Sequence, residues 1–152
     1  MAAGWETSTL TMVNTMWFLT LSPKTIELQN RLRKNSKIPT SGKQTLLART
    51  IDETLLWRPP VLWHASMAVK ELEARVGQAE CNIPKGTWLS ADLLGMHQLP
   101  GHGPFTKRVN NSTMLNWDPE FDGQRKLKHR AGGVGARHCP GGKMAARGME
   151  LI

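Results

Sequence analysis

LSPKTIELQNRLRKNSKIPTSGKQTLLARTIDETLLW, from Leu21 to Trp57, is the stretch where helix signals, turn chemistry and charge agree. Ser22 is a good N-cap, and Pro23 stands at a first helical position, where its missing N–H removes nothing a helix would use. Leu28 and Leu32 lie one turn apart on a shared face, with Ile26 as a further apolar position. Arg33 and Lys34 fall near the end of this helix and complement its dipole. Asn35-Ser36-Lys37 ends it. Ile38-Pro39 is extended, because proline disfavours the helical region for the residue before it. Ser41 and Gln44 fit a capping box, which starts a second helix. Its stripe is Leu47, Ile51 and Leu55, and it stops before Pro59-Pro60.

Working outward, residues 1–20 hold an apolar run from about Leu10 to Leu21. No Lys or Arg precedes it, so it lacks the form of a secretory signal. It is also shorter than the roughly 20 apolar residues a membrane span needs. The expectation is a strand or short helix packed on the 21–57 stretch, with no membrane contact. On the other side, Val69, Leu72 and Val76 fall on one helical face and Glu71 and Arg75 stand four apart, so an amphipathic helix is expected over residues 65–78. Two helices of this length bury little core unaided, and this third helix, with Trp57 and Trp63, is expected to support them.

The helix–extended–helix arrangement with a Pro-x-Ser-Gly turn resembles the SAP domain, a DNA-binding module of about this length. The matching positions are Leu28 and Leu32 on the first helix, Ile38 before the turn, Pro39-Thr40-Ser41-Gly42 in it, and Leu47 and Ile51 on the second helix. The resemblance covers about a quarter of the chain, residues 22–57. It implies DNA contact, although Gln44 and Thr50 stand where the family usually has basic residues. Separately, the free amides of a helix N-terminus at Gly42 and Lys43, with Arg31, Arg33, Lys34, Lys37 and Arg49 around it, suit a backbone phosphate without base reading.

The charge of the chain agrees with an acidic partner: +8 over 152 residues. The aromatic content is unusual, with no Tyr, three Phe and six Trp, and points to a small core with much irregular chain. Ser90 to Leu94 suggests one short capped helix. The rest of residues 80–122 is loop-rich, with turn formers dense at Leu99 to Phe105. Residues 123–152 are basic and glycine-rich, a composition that buries too little apolar area to offset ordering entropy, so a disordered tail is expected. Arg125, Lys126, Lys128 and Arg130 make a second basic patch there.

Several chemistries are missing. Gly142-Lys143 is followed by Met144 rather than Ser or Thr, so there is no P-loop. Gly133-Val134-Gly135 lacks a third glycine and a preceding strand, so there is no dinucleotide fingerprint. Cys81, His97, His102, His138 and Cys139 show no zinc-hairpin spacing, and Cys139 beside His138 is not a nucleophile–base pair by adjacency alone. No carboxylate pair stands out. The sequence thus points to a mainly α-helical protein: a SAP-like unit with its supporting helix over residues 21–79 and an irregular C-terminal half. It is expected to be a non-enzymatic nuclear (or cytoplasmic) DNA-binding protein without metal or cofactor. A second reading, from another class, is an interaction or scaffold fragment that docks on a partner through residues 10–21 and 65–78. A third is a largely disordered small basic protein.

Overall fold

A computed structural model describes residues 2–21, 23–34, 45–98 and 131–150. Its first element is helix α1, Ala2–Leu19. The apolar run therefore belongs to a helix that begins well before it. Ser and Thr are tolerated within the helix because their hydroxyls donate to the preceding turn: Ser8 to the Gly4 carbonyl (2.9 Å), Thr11 to Thr7 (2.8 Å) and Thr15 to Thr11 (2.8 Å). The last turn closes through the Thr20 amide and hydroxyl, both donating to the Trp17 carbonyl. Gln29 of the next helix donates to the Leu19 carbonyl at 2.7 Å, which supplies a terminal carbonyl with a partner the helix itself lacks.

Helix α2, Pro23–Lys34, has Pro23 in its first position, as the sequence implies. It buries Thr25 and Leu28. Leu28 packs on Phe18 of α1, with Leu19, Leu32, Leu46 and Trp57 around the pair. Helix α3, Leu46–Trp57, begins later than the Ser41 capping box suggests: its N-cap is Thr45, whose hydroxyl accepts from the Ala48 amide at 2.8 Å. Ser41 and Gln44 lie outside the described residues. Removing this cap with Thr45→Ala is expected to cost about 1 kcal/mol, read as a lowered denaturant midpoint without loss of the fold. The helix ends at Trp57, where Arg58 donates its amide to the Thr54 carbonyl at 2.7 Å and Pro59 follows, buried. The Arg58 guanidinium lies 5.1 Å from the Trp17 ring centroid and ties the end of α3 to α1.

Helix α3 is the central element. Thr50, Ile51, Glu53, Thr54, Leu55 and Leu56 are all buried in it, and it packs on α1 and on two later helices. Ile51 and Leu55, two members of the expected stripe, form a cluster with Met149, against which Met12, Leu47, Ala131 and Ala145 pack.

Residues 63–92 carry four strands, and two of them, with a turn, take up the 65–78 stretch where a supporting helix was expected. Strand β1 (Trp63–Met67) pairs antiparallel with β4 (Trp88–Asp92), and β2 (Leu72–Val76) pairs with β3 (Ala79–Ile83), nested between them. The same residues carry a period-2 pattern, Leu72, Ala74 and Val76, and it prevails because Gly77 turns the chain at φ 64°. Arg75 then stands opposite Glu80, and Asn82 donates to Glu71, so each charge of the supposed helical pair meets the facing strand. Gly86, at φ 88°, closes the outer ladder: its amide donates to the Ala68 carbonyl, while the Ala68 amide donates to Thr87.

Helix α4, Leu93–Gln98, starts after Asp92, whose carboxylate accepts from the Gly95 amide at 2.8 Å. It packs on α3 and buries His97. In the last described stretch, a short 3-10 turn at Gly135–Arg137 precedes helix α5, Gly142–Glu150, which packs on α1 and α3. Ordered helix thus stands where a disordered tail was expected, because Met149 and Ala145 find an apolar seat on α3 that composition alone does not reveal. The fold is mixed, with helices and two small antiparallel sheets, and is not a mainly α unit built on a helix pair. No helix among the described residues is long and apolar enough to cross a membrane.

Candidate functional site

Of the basic residues singled out in the sequence, Arg31, Arg33, Lys34 and Arg49 lie among the described residues. Arg31, Arg33 and Lys34 are in the last turn of α2, where they complement the helix dipole. Arg49 is half-buried in the first turn of α3. Lys37, Gly42, Lys43, Arg125, Lys126, Lys128 and Arg130 lie outside the described residues.

A different feature stands out at residues 131–142. The Cys139 amide donates to the Gly132 carbonyl at 2.8 Å, closing a loop over the 3-10 turn, and the His138 amide donates to Gly135 at 3.1 Å. Gly133 (φ 76°) and Gly135 (φ 73°) occupy the left-handed region, which side-chain-bearing residues rarely adopt. The loop then runs into α5, with the Gly142 amide donating to the Cys139 carbonyl at 3.2 Å. Both ends are anchored on the same core: Ala131 before the loop, and Ala145 and Met149 after it, pack on Ile51 and Leu55 of α3.

The loop presents the Cys139 thiol to the outside, just ahead of the N-terminus of α5. A Cβ at Gly141 would stand 3.9 Å from the sulfur, so any side chain there would lie against it. Cys81 is also exposed, but it sits mid-strand in β3 without a glycine cradle or a following helix. No group of three or more His, Cys, Asp or Glu side chains capable of holding a metal ion occurs among the described residues. The site therefore offers one soft sulfur donor, on a loop whose two ends pack on the α3 cluster. That suits a metal whose other ligands come with it, and it does not suit zinc, which draws four ligands from the protein or three and a water.

No family model matches the sequence. A curated relative, isoflavone 3'-hydroxylase of Medicago truncatula, is 30% identical over 157 residues, spanning 95% of this chain and 28% of the relative. Among solved structures, the heme domain of a cytochrome P450DA mutant superposes with a TM-score of 0.69 at 18% identity, over 96% of this chain and 32% of that one. P450BioI, in complex with acyl carrier protein ligated to hexadec-9Z-enoic acid, gives 0.68 at 20% identity, over 98% and 32%. A Mycobacterium smegmatis protein of the same kind, with econazole bound, gives 0.63 at 22%, over 96% and 30%.

The fold is that of part of a cytochrome P450 heme domain. The chain spans about a third of these heme domains and 28% of the plant relative. The SAP resemblance is overturned, and with it the DNA partner and the non-enzymatic reading. The Leu28/Leu32 and Leu47/Ile51 positions are apolar because α1, α2, α3 and α5 pack together, a requirement any helix cluster shares with a SAP pair. The second expectation, a fragment with an apolar stretch that meets a partner, fits the finding better.

A heme brings four ring nitrogens of its own and takes an axial ligand from the protein, which in cytochromes P450 is a cysteine thiolate. The donor set of the 131–142 loop fits that demand: one outward sulfur, glycines beside it, and the positive end of the α5 dipole behind a ligand that carries negative charge. The sequence does carry a signal, since Cys139 stands alone among glycines, is followed by Pro140 and lies just before a helix. A lone sulfur of this kind escapes a criterion that asks for clustered metal ligands.

Proposed function

We propose that this chain is the heme-holding part of a cytochrome P450-type hydroxylase, with Cys139 as the residue whose sulfur would hold the iron. The observation that carries the reading is the rigid presentation of one exposed sulfur, on a glycine loop, within a heme-domain fold. The kinship with a hydroxylase supports the reaction class. A heme held by a cysteine thiolate supplies oxygen-activating chemistry, because the thiolate pushes electron density in the direction that favours O–O cleavage.

The residues of the chain do the holding. The hydrogen bond from the Cys139 amide to Gly132 fixes where the sulfur emerges. Ala131, Ala145 and Met149, on either side of the loop, pack with Ile51 and Leu55 and tie the loop to α3. Gly141 leaves the space beside the sulfur free of any side chain.

Titrating the purified chain with ferric heme is expected to give saturable one-to-one binding with the absorption spectrum of thiolate ligation. A spectrum of histidine ligation, or binding that never saturates, would remove the assignment.

A further inference from the structure

His138 stands immediately before Cys139, and the two side chains face different glycines. A Cβ at Gly132 would lie 3.5 Å from Nε2 of the His138 ring and 3.6 Å from the Cys139 Cβ. A Cβ at Gly142 would lie 3.5 Å from Cε1 of the same ring, whereas one at Gly141 would lie 3.9 Å from the Cys139 sulfur. One edge of the imidazole therefore faces both Gly132, where the loop starts, and Gly142, where α5 begins. Gly133 and Gly135 are in the left-handed region, but Gly132, Gly141 and Gly142 are not. Backbone conformation does not call for glycine at those three positions. What they share is that each borders one of the two side chains, with room for little more than a methyl group between.

The backbone hydrogen bonds of the loop converge on the same residues. The His138 amide donates to Gly135, the Cys139 amide to Gly132, and the Gly142 amide to the Cys139 carbonyl. The ring thus lies beside the two bonds that fix the backbone of Cys139 on either side. We propose that His138 is a positioning residue for Cys139: its ring occupies the gap between the two ends of the loop, keeps the Cys139 amide on Gly132, and so sets the direction in which the sulfur leaves. The inference rests on the reading of Cys139 as the residue whose sulfur would hold the iron. Shape carries the effect, through close packing of the ring edge, so another flat ring of similar size serves as well. A small side chain at 138 leaves the gap open and frees the loop to open at Gly132.

The test compares the full chain with His138→Ala and His138→Phe. Without heme, hydrogen exchange read by NMR is expected to show the Cys139 amide losing protection at least tenfold in His138→Ala and keeping it in His138→Phe. The helical circular dichroism signal is expected to match the parent in both, since His138 is exposed and outside the helices. Titration with ferric heme is expected to show His138→Ala binding roughly 10–100-fold more weakly, the loss typical of an outer-shell partner, with a reduced share of the thiolate spectrum. His138→Phe is expected to restore both. A Cys139 amide equally protected in the parent and His138→Ala would overturn the proposal. So would a His138→Phe chain that behaves as His138→Ala, because the effect would then belong to the ring nitrogens and not to shape. The exchange arm needs no heme. If the parent showed no thiolate spectrum, the reading of Cys139 would fall, and exchange would still decide whether the ring holds the loop.

Discussion

Cys139→Ser is expected to abolish the thiolate-type heme spectrum, and Cys81→Ser to leave it intact. Both cysteines are exposed, so accessibility does not separate them; their surroundings do. Cys139 has its amide pinned to Gly132, glycine at 141 beside its sulfur, and α5 beginning three residues on. Cys81 lies opposite Ala74 in a two-stranded ladder, with only the strand to hold it. Serine matches cysteine in size but is a poor ligand for the iron, so the substitution removes the bond and spares the loop. Losing an outer-shell partner already costs a metal site roughly 10–100-fold in affinity, and losing the ligand itself is expected to cost at least that. Heme titration of the two variants, followed by absorption, reads the result directly. Retention of the thiolate spectrum by Cys139→Ser, or its loss in Cys81→Ser, would move the iron ligand elsewhere.

The parts of the fold that are legible in the sequence are those governed by local backbone chemistry. Pro23 marks the start of α2, and Pro59 and Pro60 mark the end of α3, because proline acts on its own residue and the one before it. Ile51 and Leu55 show their buried stripe through spacing alone. Residues 65–78 mislead because Val69, Leu72 and Val76 satisfy helical spacing while Leu72, Ala74 and Val76 satisfy the period of a strand. Pairing with residues 79–83 decides between them. The threonines of α1 hide its length, since Thr11 and Thr15 occupy core-facing positions where apolar residues are expected. The candidate site is least legible. Its single cysteine has no partner at a diagnostic spacing, and what marks it as a site, a loop braced on α3 from both ends, is a long-range contact that composition cannot express.

Phe18→Ala is expected to lower stability by about 3–5 kcal/mol, the range for emptying a buried aromatic site. Phe18 is 1% exposed and is the side chain by which the otherwise polar inner face of α1 grips α2. Leu28, Leu19, Leu32, Leu46 and Trp57 all lean on this contact, so a cavity there loosens three helices together. The loss is a large share of the roughly 5–15 kcal/mol available to a folded domain. Val13→Ala, on the outward face of the same helix, trims a side chain that is 54% exposed, so its expected effect is within about 0.5 kcal/mol. Denaturant midpoints of the two variants make the comparison. A Phe18→Ala chain that unfolds no earlier than Val13→Ala would mean that α1 is not held by its buried face.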